Sequence, residues 1–200
     1  MPQPRKLHDR YFKQAKAEGY VARSAYKLIE IDDKRRLLRR GKRVLDLGCA
    51  PGSWLQVVEQ RIGHRGLAVG IDLQEVRQRF GPTISLIVGD AFAVDPSELL
   101  IDGQPFDVVL SDMAPNTTGH GDDHLSARLC RRVLELLPVV LRHGGHLLMK
   151  VLEGSDMPDL LRDTRVMFRD CGATKPAASR DVSREIFIVG MSYKSPGPPV

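Results

Sequence analysis

Apolar positions in this chain follow two rhythms. Short runs at Val44–Leu47, Leu67–Ile71, Ile84–Val88, Phe106–Leu110, His146–Lys150 and Ile186–Met191 have the length and composition of buried strands. Between them, apolar residues recur at helical spacing over Trp54–Arg61, Leu125–Leu141 and Pro158–Phe168, with Gly144-Gly145 as a stop for the second of these. A further helix is expected from Ser24, as its N-cap, through Tyr26, Leu28, Ile29 and Ile31. Ser97–Gln104 reads as a short helix or loop. Strands alternating with helices at this spacing predict an α/β domain on a mostly parallel, doubly wound sheet. Ligands bind such sheets beyond the carboxyl ends of the strands, so polar residues at those ends are the first functional candidates.

The most informative strand end is Arg43-Val44-Leu45-Asp46-Leu47-Gly48-Cys49-Ala50-Pro51-Gly52-Ser53-Trp54. A strand carrying a single acid breaks at Gly48, turns through Pro51-Gly52 and enters a helix, the form of a nucleotide-type site. The dinucleotide fingerprint needs a second glycine two residues after the first, and Ala50 stands there. What remains, Asp-x-Gly-x-x-Pro-Gly, resembles motif I of class I S-adenosylmethionine-dependent methyltransferases. Asp72 ends the second strand, where an acid can accept hydrogen bonds from the two ribose hydroxyls of a nucleoside. Asp90 follows the third, within reach of an adenine amino group, with Phe92 or a neighbour against the ring. Acids also end strands as turn formers or caps, so neither position is decisive alone.

Two more strand ends suggest a reaction. The fourth ends in Ser111-Asp112-Met113-Ala114-Pro115-Asn116 and the fifth in Leu147-Leu148-Met149-Lys150. A lysine closing an apolar strand needs a partner, because burying an ammonium is costly, and Asp112 is the candidate. If the last strand runs antiparallel, Glu185 at its start faces Asp112 and Lys150 on the same rim.

Composition narrows the partner. The 200 residues suffice for one domain with a proper core, and no apolar run approaches the ~20 residues of a membrane span. Cys49, Cys130 and Cys171 form no Cys-x-x-Cys pair, which points to reduced thiols in a cytosol and away from structural zinc. Residues 1–43 carry 14 Lys and Arg against 5 Asp and Glu, whereas the remainder carries 16 against 20. Positive charge concentrated ahead of the sheet suits a polyanion. Arg5, Lys6, Arg10, Lys13 and Lys16 interleave with Tyr11, Phe12 and Tyr20, a pattern that suits RNA phosphates and bases. Arg23, Lys34, Arg35, Arg36, Arg39 and Arg40 complete the expected RNA-binding set. The expected organisation is a basic RNA-binding extension at 1–42, a catalytic domain at 43–194 and a disordered tail at 195–200.

Several of these motifs occur together in one known family. Ser24-Ala25-Tyr26-Lys27-Leu28, Asp46-Leu47-Gly48-Cys49-Ala50-Pro51-Gly52-Ser53-Trp54, Ser111-Asp112-Met113-Ala114-Pro115-Asn116, Lys150-Val151 and Ser183-Arg184-Glu185 recur in this order in the RlmE/FtsJ family, and the resemblance runs from about Tyr11 to Tyr193. Cys49 and Ser53 stand where relatives often carry Ala and Gly, both small enough to preserve the turn. The resemblance implies a Rossmann-like class I methyltransferase with an antiparallel last strand, which methylates ribose 2′-hydroxyls of RNA. It implies a catalytic tetrad of Lys27, Asp112, Lys150 and Glu185, and S-adenosyl-L-methionine held by Gly52, Trp54, Asp72, Asp90 and Asp112, with Gly48 shaping the turn. The implied substrate is a uridine of 23S ribosomal RNA in the large subunit, the implied setting the cytoplasm, and the implied state a monomer without an obligate protein partner.

S-adenosylmethionine carries an activated methyl group, so the implied chemistry needs no metal. Lys150 is then the principal base or proton acceptor, with burial, Lys27 and a sulfonium favouring its neutral amine and Asp112 opposing them. Asp112 orients Lys150 and the methyl donor, and Lys27 and Glu185 position the ribose hydroxyl. His120 and His124 are four apart, but lie in a Gly-rich loop where solvated polar residues are the default, so no metal site is expected. His143 and His146 read as turn residues, and Cys130 as core. Other readings are a tRNA-directed member of the same fold family, a non-catalytic RNA-binding assembly factor and a nicotinamide-dependent dehydrogenase. The intact tetrad disfavours the second of these, and the failed glycine fingerprint the third.

Overall fold

The apolar run before the glycine turn forms β1 (Arg43–Leu47), which lies inside a seven-stranded sheet. The computed structural model describes residues 6–115, 121–179 and 183–194. The remaining strands are β2 (Leu67–Asp72), β3 (Ile84–Val88), β4 (Phe106–Ser111), β5 (Leu141–Leu152), β6 (Phe168–Thr174) and β7 (Glu185–Tyr193). Their order is β3-β2-β1-β4-β5-β7-β6, with β1 to β5 parallel and β7 antiparallel to both neighbours. From β1 the chain steps outward to β2 and β3, then returns to the other side of β1 for β4. That switch leaves a crevice at the carboxyl ends of β1 and β4.

The helices are α1 (Lys6–Glu18), α2 (Ala25–Arg35), α3 (Ser53–Ile62), α4 (Asp122–Val140) and α5 (Met157–Met167). On one face Leu28 and Ile31 of α2 and Leu55 and Val58 of α3 pack on Val44, Val108, Leu110, Leu148 and Phe187. On the other, Val133 and Leu137 of α4 and Leu160 of α5 pack on Leu45, Leu47, Val109, Leu147 and Met149. Successive strand residues alternate between these faces, so Asp46 and Lys150 fall at positions of the α2–α3 face.

All six expected strands form, and the last one is antiparallel as anticipated. The seventh, β6, was not legible, because it is an edge strand with a single buried residue, Phe168, and contains Gly172. The helix expected to run through Phe168 ends at Met167 for the same reason. Strand β5 begins earlier than expected, and Gly144-Gly145 lie within it; α4 ends at Val140 because Leu141 is already extended. Residues 96–99 form a short 3-10 turn. Helix α1 sets Tyr11 and Ala15, four apart, against Tyr26, a short stripe within a charged segment to which sequence reading gave no structure. Residues 195–200 lie outside the described residues.

Candidate active site

Strand register assembles the site. Pairing of Ser111 with Met149 sets Asp112, just past β4, beside Lys150 of β5. The antiparallel pairing of Leu152 with Glu185 brings the start of β7 to the same rim. Helix α2, docked on that face, supplies Lys27 from its first turn. Two ion pairs result. Lys27 Nζ donates to Glu185 Oε2 at 2.6 Å, and Lys150 Nζ lies 2.9 Å from Asp112 Oδ1. The Lys150 ammonium directs its hydrogen bond at the Asp112 carbonyl oxygen, 2.8 Å away, leaving the carboxylate as a charge partner out of line for a hydrogen bond. Both lysines are buried, at 5% and 6% exposure, so each stands apart from the ordinary solvated lysine.

Glu185 was expected to face Asp112 and Lys150, but its contact partner is Lys27. Burial alone would raise its carboxyl. Lys27, with Lys150 and a hydrogen bond from Ser183 Oγ, outweighs this and holds it below the usual range. Lys27 also sits 5.9 Å from the centre of the Phe187 ring, a cation–π contact that supports a buried ammonium.

Beside the tetrad lies a cavity of about 380 Å³ whose lining includes Gly48, Asp72, Asp90, Phe92, Asp112 and Met113. Gly48 has φ +80°, and a Cβ there would meet Met113 at 2.6 Å, so only glycine closes this turn. The turn's own N–H groups are satisfied internally. Gly48 and Cys49 donate to the Ile71 carbonyl, Gly52 to that of Cys49, and Ala50 to Asp72 Oδ2 at 2.9 Å. A diphosphate would want those donors free. Instead the cavity presents three carboxylates, and behind it Asp46 is fully buried, with neither side-chain oxygen finding a hydrogen-bond partner among the described residues. Burial, then Asp112 and Asp72, pushes the Asp46 carboxyl well up. The chemistry of this donor set fits a cationic nucleoside and not an anionic dinucleotide.

Other expected cofactor residues act less directly. Gly52 is buried in the turn, and Trp54 is 2% exposed, with its ring against Phe187 and its Nε1 donating to the Ser24 carbonyl. Neither lines the cavity. Ser24 does not cap α2 through its side chain; its Oγ instead pairs with Ser53 Oγ at 2.8 Å and ties α2 to α3. Sequence reading also missed Arg128, whose guanidinium lies 5.1 Å from the Phe92 ring at the cavity mouth. Its spacing on α4 resembled any exposed helical cation.

His124, His146, Cys49 and Cys130 have structural surroundings. The ring Nδ1 of His124 contacts Asp156, which also binds Arg131 at 2.9 Å, joining α4 to α5. His120 lies outside the described residues, and among those described no His, Cys, Asp and Glu cluster could hold a metal. His143 and His146 are strand residues of β5 and not turn residues, and the His146 Nδ1 accepts from the Ser192 N–H. Cys130 is in the core, where burial pushes its thiol up to about 12, and Cys49 is buried in the turn with its thiol likewise raised.

The expected RNA-binding residues divide. Tyr11 and Tyr20 are half-buried and meet Tyr26 with ring centres at 5.5 and 5.7 Å, while Phe12 is 62% exposed. Arg23 lies in the turn before α2, on the catalytic side. Lys34 pairs with Glu30, and Arg35 with Asp170. Arg36, in the left-handed conformation, caps α2 about 13 Å along the helix from Lys27. Arg39 and Arg40 precede β1, at the end of the sheet opposite the tetrad.

The family profile of FtsJ-like methyltransferases matches residues 20–193. The chain belongs to this family. A Syntrophobacter fumaroxidans protein named ribosomal RNA large subunit methyltransferase E is 44% identical over 193 residues, covering 94% of this chain and 97% of the relative. A Haloarcula marismortui protein of the same name is 41% identical, covering 95% of this chain and 76% of the relative. A solved structure described as a ribosomal RNA methyltransferase from Plasmodium falciparum superposes with a TM-score of 0.77 at 29% identity, over 87% of this chain and 98% of that one. This FtsJ-like methyltransferase and the Plasmodium protein therefore share one fold. Among the described residues, no helix is long and apolar enough to cross a membrane.

Proposed function

We propose that this FtsJ-like methyltransferase transfers a methyl group from S-adenosyl-L-methionine to a ribose 2′-oxygen, at a uridine of large-subunit ribosomal RNA. The observation that carries the reading is a pair of buried lysine–carboxylate contacts beside an acidic, nucleoside-sized cavity. The names of the relatives support the RNA class. When bound, S-adenosylmethionine supplies an electrophilic methyl group on a sulfonium. Asp72 and Asp90 would hold its adenosine end, and the Asp112 carboxylate favours its cationic end.

The protein's own residues then handle the hydroxyl. Acting as the free amine, Lys150 takes the 2′-hydroxyl proton at the Nζ lone pair while its N–H donates to the Asp112 carbonyl, and the ammonium so formed is balanced by the Asp112 carboxylate. Lys27 and Glu185, locked together at 2.6 Å, orient the hydroxyl so that its oxygen is aligned with the transferring carbon. General-base assistance of this kind contributes about 10²–10⁴ in rate.

The test is methyl transfer from labelled S-adenosylmethionine by wild type and Lys150→Ala on large ribosomal subunits, free ribosomal RNA and tRNA, with the marks mapped. A Lys150-dependent 2′-O-methyl group on one large-subunit ribose is the expected result. A mark on tRNA replaces the substrate and keeps the mechanism. Near-normal single-turnover transfer by Lys150→Ala would remove Lys150 from the role of base.

A further inference from the structure

The sheet's rim opposite the tetrad carries a row of cations that neither the cavity nor the reaction uses. Arg65 precedes β2, Arg39, Arg40 and Lys42 precede β1, Arg142 and His143 open β5, Lys194 follows β7, and Arg169 begins β6. At about 4.8 Å per strand, the five steps from β2 to β6 spread this row over about 24 Å. Arg39, Arg40, Arg65, Arg142, His143, Arg169 and Lys194 are exposed. Among the described residues, Arg39, Arg40, Arg65 and Arg169 have no ion-pair partner.

The acids on this rim do little to balance the row. Asp107 is bound by Lys42 Nζ at 2.9 Å, by Arg142 Nε at 2.6 Å and by the Arg43 N–H, so its charge is already neutralised. Asp170 faces Arg35, and at the far end of α2 Asp33 is bound by Arg61 at 2.7 Å. Half-buried His146, just inside the rim, responds to the same field. Burial, then Lys42, Arg142 and Arg39, lowers its ring, with Asp107 opposing.

We propose that this rim is a second RNA-binding surface, engaging the phosphates of a substrate segment remote from the methylated ribose. The proposal rests on the reading of RNA as substrate and extends it. Exposed, unpaired arginines in a row favour a phosphate backbone, since each can release a counterion without first breaking an internal bond. Helix α2 links the two surfaces, with Lys27 at the catalytic rim and Arg36 at its far end. A large folded RNA can reach both rims, whereas a short one at the tetrad cannot.

The experiment compares wild type with the fourfold variant Arg39→Gln, Arg40→Gln, Arg65→Gln, Arg169→Gln for binding to protein-free large-subunit ribosomal RNA across a salt series. The variant is expected to bind at least 10-fold more weakly at low salt, with the slope of log affinity against log salt shallower by about 3. An RNA hairpin long enough for the catalytic rim alone should bind both proteins alike. The corresponding fourfold Arg→Lys variant should restore the slope, which separates lost charge from lost folding. Equal slopes on the large RNA for wild type and the Gln variant would overturn the surface, as would equal losses on the large RNA and the hairpin. Because binding is read without catalysis, absence of methyl transfer on any RNA would defeat the substrate reading while leaving this result intact.

Discussion

The two rims of one sheet handle charge in opposite ways. At the carboxyl ends of the strands, charges are buried and matched in defined pairs, Lys27 with Glu185 and Lys150 with Asp112, around an acidic cavity. At the amino ends, arginines stand in solvent, and the neutralised charge is an acid, Asp107. Buried pairs hold geometry, because neither partner can turn to water without a desolvation penalty. Exposed cations hold little geometry but attract any polyanion at long range. The difference separates a surface built for chemistry from one built for contact.

Breaking a buried pair should have the largest effect on stability. Lys27→Met leaves Glu185 half-buried without its main partner, and a loss of about 2–3 kcal/mol at pH 7 is expected in urea unfolding. The sign with pH follows from Glu185, whose folded-state carboxyl is depressed despite burial. Its stabilisation is present above the unfolded value of about 4.3 and is lost as pH falls through the lower folded value. The deficit of Lys27→Met should therefore shrink below about pH 4. A deficit that is unchanged at low pH would mean that Lys27 acts through packing on Phe187 instead.

Asp46 sharpens the comparison from the other direction. Its folded carboxyl is raised by burial and by Asp112 and Asp72, so the native state holds a proton that the unfolded chain releases above about pH 4. Stability from this group therefore falls as pH rises, by on the order of 1 kcal/mol per pH unit at most. Asp46→Asn should flatten the stability profile between pH 5 and 7. Parallel profiles for variant and wild type would show that Asp46 is ionised in the folded protein.

At the opposite rim the effect should be smallest. Arg39→Gln with Arg40→Gln removes two solvated cations that have no ion-pair partner among the described residues, so unfolding free energy should change by less than about 0.5 kcal/mol. A larger loss would show that these arginines support the fold, and would erase the contrast between the rims.

The strand-end residues Asp72, Asp90, Asp112 and Lys150 were legible because a parallel sheet delivers such positions to one rim whatever the details of packing. The glycine turn was legible too, since Gly48 and Pro51-Gly52 interrupt an apolar run in a way few other structures require. The internal satisfaction of that turn was not, because it depends on β2 lying alongside to offer the Ile71 carbonyl and the Asp72 carboxylate. Aromatic spacing near the N-terminus did not reveal that Tyr11 and Tyr20 gather around Tyr26, because that contact joins α1 to α2 across the turn between them.

By itself, the sequence determined the alternation of strand and helix, the turn and the residue types available at each strand end. Those follow from local periodicity and backbone sterics, which are written residue by residue. Tertiary structure decided which lysine meets which carboxylate, why Trp54 faces Phe187 and not the cavity, and which arginines remain free. These depend on strand register and helix docking between residues up to 158 apart in the chain, as with Lys27 and Glu185. Long-range pairing leaves no periodic trace, so the arrangement of charge on the two rims could be read only from the folded chain.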